Sequence, residues 1–177
     1  MIAGLSTGVL SLLALLAQEL ASPPPLIGDA APALVVDDAD GRTTPPPVFT
    51  GKVTVIDFFA TWCGPCQRAH RDLSALSATF GDAVTLLFVD VNEDPAVVGR
   101  FLASANLPKG ARVVLDRTGA NARRWGQDRF PTTFLIDAGG IVRHINRGWG
   151  PGYQARLGRW LRAMLTPPAA AAKPAGG

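Results

Sequence analysis

Two cysteines are the residues of this sequence best suited to chemistry. Cys63 and Cys66 are the only cysteines among 177 residues, so an intrachain disulfide can join only these two. They lie directly after the apolar run 53–59, at the start of a segment with helical periodicity. At a helix N-terminus, unpaired backbone N–H groups and the helix dipole favour a thiolate. We therefore predict that Cys63 is the exposed, attacking thiol and Cys66 the shielded, resolving thiol.

A metal site is the alternative use of such a pair. Structural zinc takes four ligands, and beside the cysteines the sequence offers only His70 and His144, which are not at zinc-finger spacing. A copper carrier would need a well-placed histidine, and the C-x-x-C spacing argues against it. We predict no bound metal and no cofactor. His70, one helical turn after Cys66, is expected to face solvent; the alternative is that it tunes the thiols or binds substrate.

Alternating apolar and amphipathic segments predict the elements that position this pair. Their order indicates an α/β fold with a mixed sheet covered by helices. Asp57 falls in the first long apolar strand, where a buried charge is costly, unless it lies at the strand end and points to solvent. We predict strands at 53–59, 84–91, 112–115, 132–136 and 141–145, and helices at 63–80, 95–105, 120–125 and 153–165.

The two ends of the chain differ in composition from its middle. Residues 2–17 carry no charge and include a dense apolar run, which is typical of an export signal or short signal-anchor. A buried N-terminal helix is the alternative. Export indicates a periplasmic or otherwise extracytoplasmic location, with membrane attachment through this segment if it is retained. We predict a signal or anchor at 1–21, a proline-rich spacer at 22–27, one domain at 28–165 and a disordered tail at 166–177.

The charge of the chain bears on its partners. A formal net charge of +3 without a block of like charges gives no support for nucleic-acid binding. We predict no nucleic-acid partner, and we expect a monomer.

The sequence around the cysteines resembles a known family. The stretch from Asp57 to Cys66 (DFFATWCGPC) resembles the active site of thioredoxins. Residues 28–32 (GDAAP) and 130–140 (FPTTFLIDAGG) resemble the TlpA/ResA/CcmG-like branch, which comprises membrane-tethered or periplasmic thioredoxin-like reductases. The resemblance implies a thioredoxin fold, a three-layer α/β/α structure with a central mixed β-sheet. It also implies an extra N-terminal hairpin and a central insertion at about 95–117.

The resemblance implies roles for particular residues. Asp57 matches the family's buried acid, which would take the Cys66 proton during resolution. Phe130–Pro131 would be a cis peptide bond packed against the disulfide, keeping metals off the thiols and offering backbone to substrates. Trp62 would cover the edge of the active site, unless it is a plain packing residue. The predicted catalytic residues are Cys63, Cys66 and Asp57, and the predicted substrate-binding residues are Trp62, Gly64, Pro65, Phe130, Pro131 and Gly148.

The resemblance further implies a thiol–disulfide oxidoreductase. Because Gly64-Pro65 between the cysteines resembles reducing members, we expect it to reduce disulfides in exported proteins, such as apocytochrome c or metallocentre-assembly proteins. Its partners would be those proteins and a membrane electron donor that recharges it. The branch often has glutamate and proline where this chain has Ala69 and Arg71, which leaves the substrate open. The alternatives are a thiol peroxidase, whose P-x-x-x-T-x-x-C setting is missing, and a non-catalytic thioredoxin-like binding module.

Overall fold

A mixed six-stranded sheet forms the centre of the molecule, with strand order β1-β4-β3-β2-β5-β6. The computed structural model describes residues 23–105, 107–108 and 110–166. Strands β2, β3 and β4 are parallel, whereas β1, β5 and β6 pair antiparallel with their neighbours. The strands are β1 (Asp37–Asp38), β2 (Val53–Phe59), β3 (Val84–Val91), β4 (Arg112–Asp116), β5 (Thr132–Ile136) and β6 (Val142–Arg147), and the helices are α1 (Gly64–Phe80), α2 (Pro95–Ser104), α3 (Ala120–Arg124) and α4 (Tyr153–Leu165).

Two apolar layers cover the sheet. Every residue of β2 and of β5 is buried, as expected for central strands with both faces covered. On one face, α1 and α4 contribute Leu73 and Leu157 to a core that also contains both cysteines. On the other face, the N-terminal segment and the region of α3 contribute Leu34, Phe49 and Trp125. The predicted α/β architecture with a mixed sheet is therefore confirmed.

The extra elements lie at one edge of the sheet. The predicted hairpin is short: β1 turns through Gly41, and Asp37 forms an isolated bridge with Thr43. Strand β1 then pairs with β4, which together with α2 makes up the predicted insertion. The side chain of Asp94 caps α2 by accepting a hydrogen bond from Ala96 N–H. The insertion thus brings α2 up to the same face as the cysteines, where Phe101 packs against their core.

Two element boundaries differ from the prediction in ways that matter for the site. Helix α1 begins at Gly64, with Cys63 as its N-cap. Strand β6 extends to Arg147, where it pairs with Thr132 beside Pro131. The apolar pattern does not mark this extension because ladder hydrogen bonds join main chains whatever the side chains are.

The terminal segments bear on the predicted export signal. No helix in the described ranges is long and apolar enough to cross a membrane. The predicted signal or anchor at 1–21 lies outside the described residues, as does the predicted tail beyond Thr166.

Candidate active site

The cysteines form a disulfide at the N-terminus of α1. Cys63 is the N-cap residue, and its Sγ accepts a hydrogen bond from the backbone N–H of Cys66 at 3.1 Å. Pro65 sits in the first turn, where its missing N–H costs nothing. A backbone donor aimed at Sγ stabilises negative charge on that sulfur once the disulfide is opened. The geometry therefore favours Cys63 as the thiolate.

The accessibility of the two sulfurs differs from the prediction in degree. Cys66 is fully buried, as predicted, whereas Cys63 is 4% exposed rather than openly exposed. The reason is tertiary: Cys63 belongs to the buried core of this face, against which Phe130 and Trp149 also pack. Cys63 is still the more accessible of the two, so a substrate reaches it first.

A chain of hydroxyl groups leads to Asp57 in the middle of β2. The register of β2 and β5 places Asp57 opposite Thr133. The Thr133 hydroxyl donates to Asp57 Oδ1 at 2.7 Å, and the Tyr153 hydroxyl lies 2.7 Å from Thr133 Oγ1. Because a threonine has one hydroxyl hydrogen, Tyr153 is the donor to Thr133. Asp57 is 1% exposed, so the alternative that it points to solvent is wrong.

Tyr153 and Thr133 are parts of this site that the sequence analysis missed. Burial, followed by the nearby Asp57 carboxylate, raises the pKa of Tyr153 well above its ordinary value, which keeps the phenol protonated as a donor. Tyr153 is the only tyrosine in the chain, and it begins the final amphipathic helix. A buried tyrosine needs a polar partner, and that requirement was the available signal.

His70 is buried, which contradicts the prediction that it faces solvent. It is 4% exposed, and its Nε2 lies 3.4 Å from Asp57 Oδ2. The rings of Phe59 and Phe88 meet the imidazole edge-on at centroid distances of 4.8 and 4.6 Å. The physical reason is helical geometry: four residues after Cys66, His70 lies on the same face of α1, which is the face turned to the sheet.

The predicted substrate-binding residues form two linked groups, one beside Cys63 and one around the Phe130–Pro131 bond. Phe130–Pro131 is a cis peptide bond, and the Gly148 N–H donates to the Pro131 carbonyl at 2.7 Å. Gly148 has a φ of 79°, a left-handed conformation that glycine adopts without strain. Trp62 is 72% exposed and meets the Phe130 ring edge-on at 5.6 Å. Gly64 and Pro65 are exposed beside Cys63.

A second acidic group braces the loop before the cysteines. Both the N–H and the hydroxyl of Thr61 donate to the Glu93 carboxylate, at 2.6 and 2.7 Å. Asp90, at the end of β3, is fully buried. Burial, followed by the adjoining Glu93 carboxyl and the Asp116 charge, raises the pKa of Asp90 to about 8. Sequence reasoning missed this cluster because Asp90 and Glu93 fall in an ordinary strand-to-loop transition.

Metal ligation finds no support in this geometry. Within the described ranges, no three histidine, cysteine or acidic side chains are grouped so that they could hold an ion. Both cysteine sulfurs are used in the disulfide.

Comparison with known proteins identifies the family. Residues 26–155 match the family model described as Redoxin. The chain belongs to the redoxin family. This redoxin is 32% identical over 123 residues to the thiol-disulfide oxidoreductase ResA of Geobacillus thermodenitrificans, covering 69% of this chain and 70% of that one. It is 30% identical over 133 residues to the thiol:disulfide interchange protein HelX of Rhodobacter capsulatus, covering 74% of this chain and 72% of the relative.

A solved structure extends the comparison to the fold. A thiol:disulfide interchange protein of the thioredoxin family from Chlorobium tepidum superposes with a TM-score of 0.64 at 25% identity, covering 80% of the redoxin and 99% of the neighbour. The predicted thioredoxin fold is therefore confirmed. Together with the Cys63–Cys66 disulfide, the comparisons establish the redoxin as a thiol–disulfide oxidoreductase of the ResA/DsbE type.

Proposed function

We propose that this redoxin reduces disulfides in exported proteins by dithiol–disulfide exchange through Cys63 and Cys66. The observation that carries the proposal is the hydrogen bond from Cys66 N–H to Cys63 Sγ at the start of α1. A sulfur held there is a good nucleophile in the reduced protein and a good leaving group in the oxidised one. The Gly64-Pro65 pair between the cysteines, which resembles reducing members of the family, supports reduction as the direction.

The reaction has two thiol exchanges. The Cys63 thiolate attacks one sulfur of a substrate disulfide, the substrate S–S bond breaks, and the departing thiolate takes a proton from solvent. Cys66 then gives its proton to Asp57 and attacks the Cys63 sulfur of the mixed disulfide. The second substrate sulfur leaves as a thiolate and takes a proton from solvent, and the Cys63–Cys66 disulfide seen in the structure is the product.

Asp57 is suited to take that proton. It is buried, one carboxylate oxygen accepts from Thr133, and Oδ2 has no hydrogen-bond partner in the described part of the chain. Oδ2 is therefore open to accept a proton.

The substrate would lie across the edge of the disulfide. Trp62 and Phe130 offer aromatic surface, and the Pro131 carbonyl is held by the Gly148 N–H next to Phe130. An exposed tryptophan against a partly buried phenylalanine beside a reactive sulfur is suited to recognising apolar side chains near a disulfide.

Export and recharging complete the proposal. Residues 1–21 would direct the domain, residues 28–165, across the membrane or anchor it there. Each turnover leaves the protein oxidised, so two electrons must come from a donor in the membrane. Suitable substrates are oxidised cysteine pairs awaiting a cofactor, as in apocytochrome c or a metallocentre-assembly protein. A reporter fused to the C-terminus and active only outside the cytoplasm tests export; a silent reporter contradicts it.

Two matched substitutions test the chemistry. Cys63→Ser should abolish reduction of insulin disulfides, because it removes the attacking sulfur. Cys66→Ser, the same atomic change three residues along, should instead accumulate a mixed disulfide with substrate, visible as a mass increase that dithiothreitol reverses. The proposal fails if Cys63→Ser reduces insulin at the wild-type rate.

The direction of electron flow has its own measurement. Equilibration with glutathione buffers should place the Cys63–Cys66 couple near that of thioredoxin, about −270 mV, rather than near that of a strong oxidant such as DsbA, about −120 mV. A potential near the latter value would assign the protein to oxidation instead.

A further inference from the structure

We propose that His70 is a positioning residue that carries the Asp57 proton between the buried site and a surface cavity. This inference rests on the proposed function, in which Asp57 takes a proton from Cys66 and must afterwards pass it on. Asp57 is 1% exposed, so it needs a route to solvent. The site otherwise offers it only Thr133, whose single hydroxyl hydrogen already points at Oδ1.

The first evidence for a proton-carrying role of His70 is its contact with Asp57. Nε2 and Oδ2 are 3.4 Å apart, and neither atom has a hydrogen-bond partner within the described ranges. Two facing lone pairs repel, so in the oxidised form shown here one proton lies between them, and a form in which the ring holds its proton on Nδ1 gains from taking one up at this contact. The distance is long for a hydrogen bond, and a small rotation of the imidazole would close it.

The second observation is the opening on the other side of the imidazole. His70 lines a surface cavity of about 320 Å³ together with Gln67, Phe101 and Leu107. Its side chain keeps 5% of its surface accessible, against 1% for Asp57. The imidazole thus stands between the buried acid and solvent, and it can take a proton on one nitrogen while releasing one from the other.

The surroundings limit which groups can compete for the proton. Strand β3 and helix α2 present the rings of Phe88 and Phe101 to His70, and neither ring titrates. On α4, the raised pKa of Tyr153 keeps its phenol protonated. Helix α1 contributes the Cys66 thiol, which is the proton source, and Arg71, which lines the same cavity.

The proton balance closes over one catalytic cycle. Before the mixed disulfide resolves, the imidazole carries its proton on Nδ1, and Nε2 faces the Asp57 carboxylate without one. When the mixed disulfide resolves, the Cys66 proton moves to Asp57 Oδ2, directly or through a water, and from there to Nε2. The imidazole then releases its Nδ1 proton to the cavity, which leaves Nε2–H facing a carboxylate. Recharging by the electron donor runs the path backwards: Asp57 returns a proton to the Cys66 thiolate, and Nδ1 takes one from solvent. The tautomer is thereby reset, and no additional reactant is needed.

The test separates the two thiol-exchange steps by stopped-flow tryptophan fluorescence, with a small disulfide in excess. His70→Phe keeps an aromatic ring but cannot move a proton, and His70→Gln keeps polarity but cannot pass a proton from one ring nitrogen to another. Both should leave the Cys63 attack unchanged and slow the Cys66 step about tenfold at pH 7. The pH profile of that step should change shape in both variants. Arg71→Gln, on the same helix and cavity, is the control and should match wild type.

Two further measurements distinguish a relay from a packing role. The double variant of Asp57→Asn with His70→Phe should be no slower than Asp57→Asn alone, because the two residues act on one proton. Imidazole added to His70→Ala should recover part of the lost rate.

Several outcomes would overturn the relay. They are an unchanged Cys66 step in the His70 variants, a uniform slowing with the wild-type pH profile, or no effect of Asp57→Asn. If His70→Phe does not fold, His70→Gln decides. The proposed function has a separate failure, insulin reduction by Cys63→Ser at the wild-type rate, which the His70 variants do not affect.

Discussion

Asp57 and Asp90 are two buried acids on neighbouring strands, and they differ in the groups that surround their carboxyls. Their register partners show that both point to the α1 face: Asp57 lies beside Phe88, and Asp90 lies beside Phe59. They are 1% and 0% exposed. Asp57 meets a hydroxyl donor and an imidazole, whereas neither carboxyl oxygen of Asp90 has a hydrogen-bond partner in the described part of the chain and the groups that perturb it are the Glu93 and Asp116 carboxyls.

The difference shows that burial alone does not make an acid part of the chemistry. With a pKa of about 8, Asp90 stays mostly protonated at neutral pH, and the titratable groups that perturb it are the carboxyls of Glu93 and Asp116 rather than an imidazole. Asp57 has one oxygen satisfied by Thr133 and the other facing His70, so a proton can arrive and leave. Neighbouring groups rather than depth of burial therefore distinguish Asp57, the proposed proton acceptor, from Asp90.

The largest effect is expected for Asp90→Asn, measured as the pH dependence of stability. The folded pKa lies above the unfolded value of 3.8, so the folded protein keeps a proton that the unfolded chain releases. The contribution to stability is fully present below pH 4 and is lost as the pH rises to about 8. Asparagine should remove this loss, which is on the order of 6 kcal/mol. Urea unfolding at pH 5, 7 and 9 measures it; an unchanged pH slope would contradict the assignment.

The second-largest effect is expected for Asp57→Asn, and it is measured as the rate at which Cys66 attacks the mixed disulfide. Asparagine keeps the shape and can still accept from Thr133, but it cannot take a proton. The step should slow about 100-fold, within the usual range for a general base, with the Cys63 attack little changed. Asp90→Asn is the matched control, since it makes the same change one strand away. Equal slowing in both variants would abolish the distinction between the two acids.

A smaller effect is expected for Thr133→Val, which removes the hydroxyl between Tyr153 and Asp57. Both groups lose a buried hydrogen bond, so the free energy of unfolding should fall by about 1–3 kcal/mol. Thr133→Ser restores the hydroxyl and should recover most of that loss. Denaturant unfolding of the pair at one pH is the measurement, and equal stabilities would exclude the hydroxyl chain as a stabilising feature.

The smallest effect is expected for Glu93→Gln. The amide keeps one acceptor for Thr61 and removes the negative charge beside Asp90. The pH at which stability is lost should therefore move down. The rate of insulin reduction should change less than about threefold. The same urea titrations measure the shift. A pH dependence of stability unchanged from that of the wild type would mean that burial alone raises the pKa of Asp90.

The local features of this protein were predictable from the sequence. The apolar runs marked β2, β3 and β5 with the observed bounds, because central strands must be apolar on both faces. The position of Cys63 at a helix start followed from the same pattern. Asp57 stood out because a charged residue interrupts an apolar run. These features depend on neighbours in sequence, so residue types and spacing were sufficient.

The partners of the buried groups were decided by the tertiary structure. Thr133 meets Asp57 only through the register of β2 with β5, and Tyr153 arrives from the last helix. The direction in which His70 faces depended on which side of α1 packs on the sheet, and the exposure of Cys63 depended on residues far along the chain. Such contacts join segments distant in sequence, and no periodicity encodes them. The C-x-x-C motif thus determined the reactive atoms, and packing determined where the protons can go.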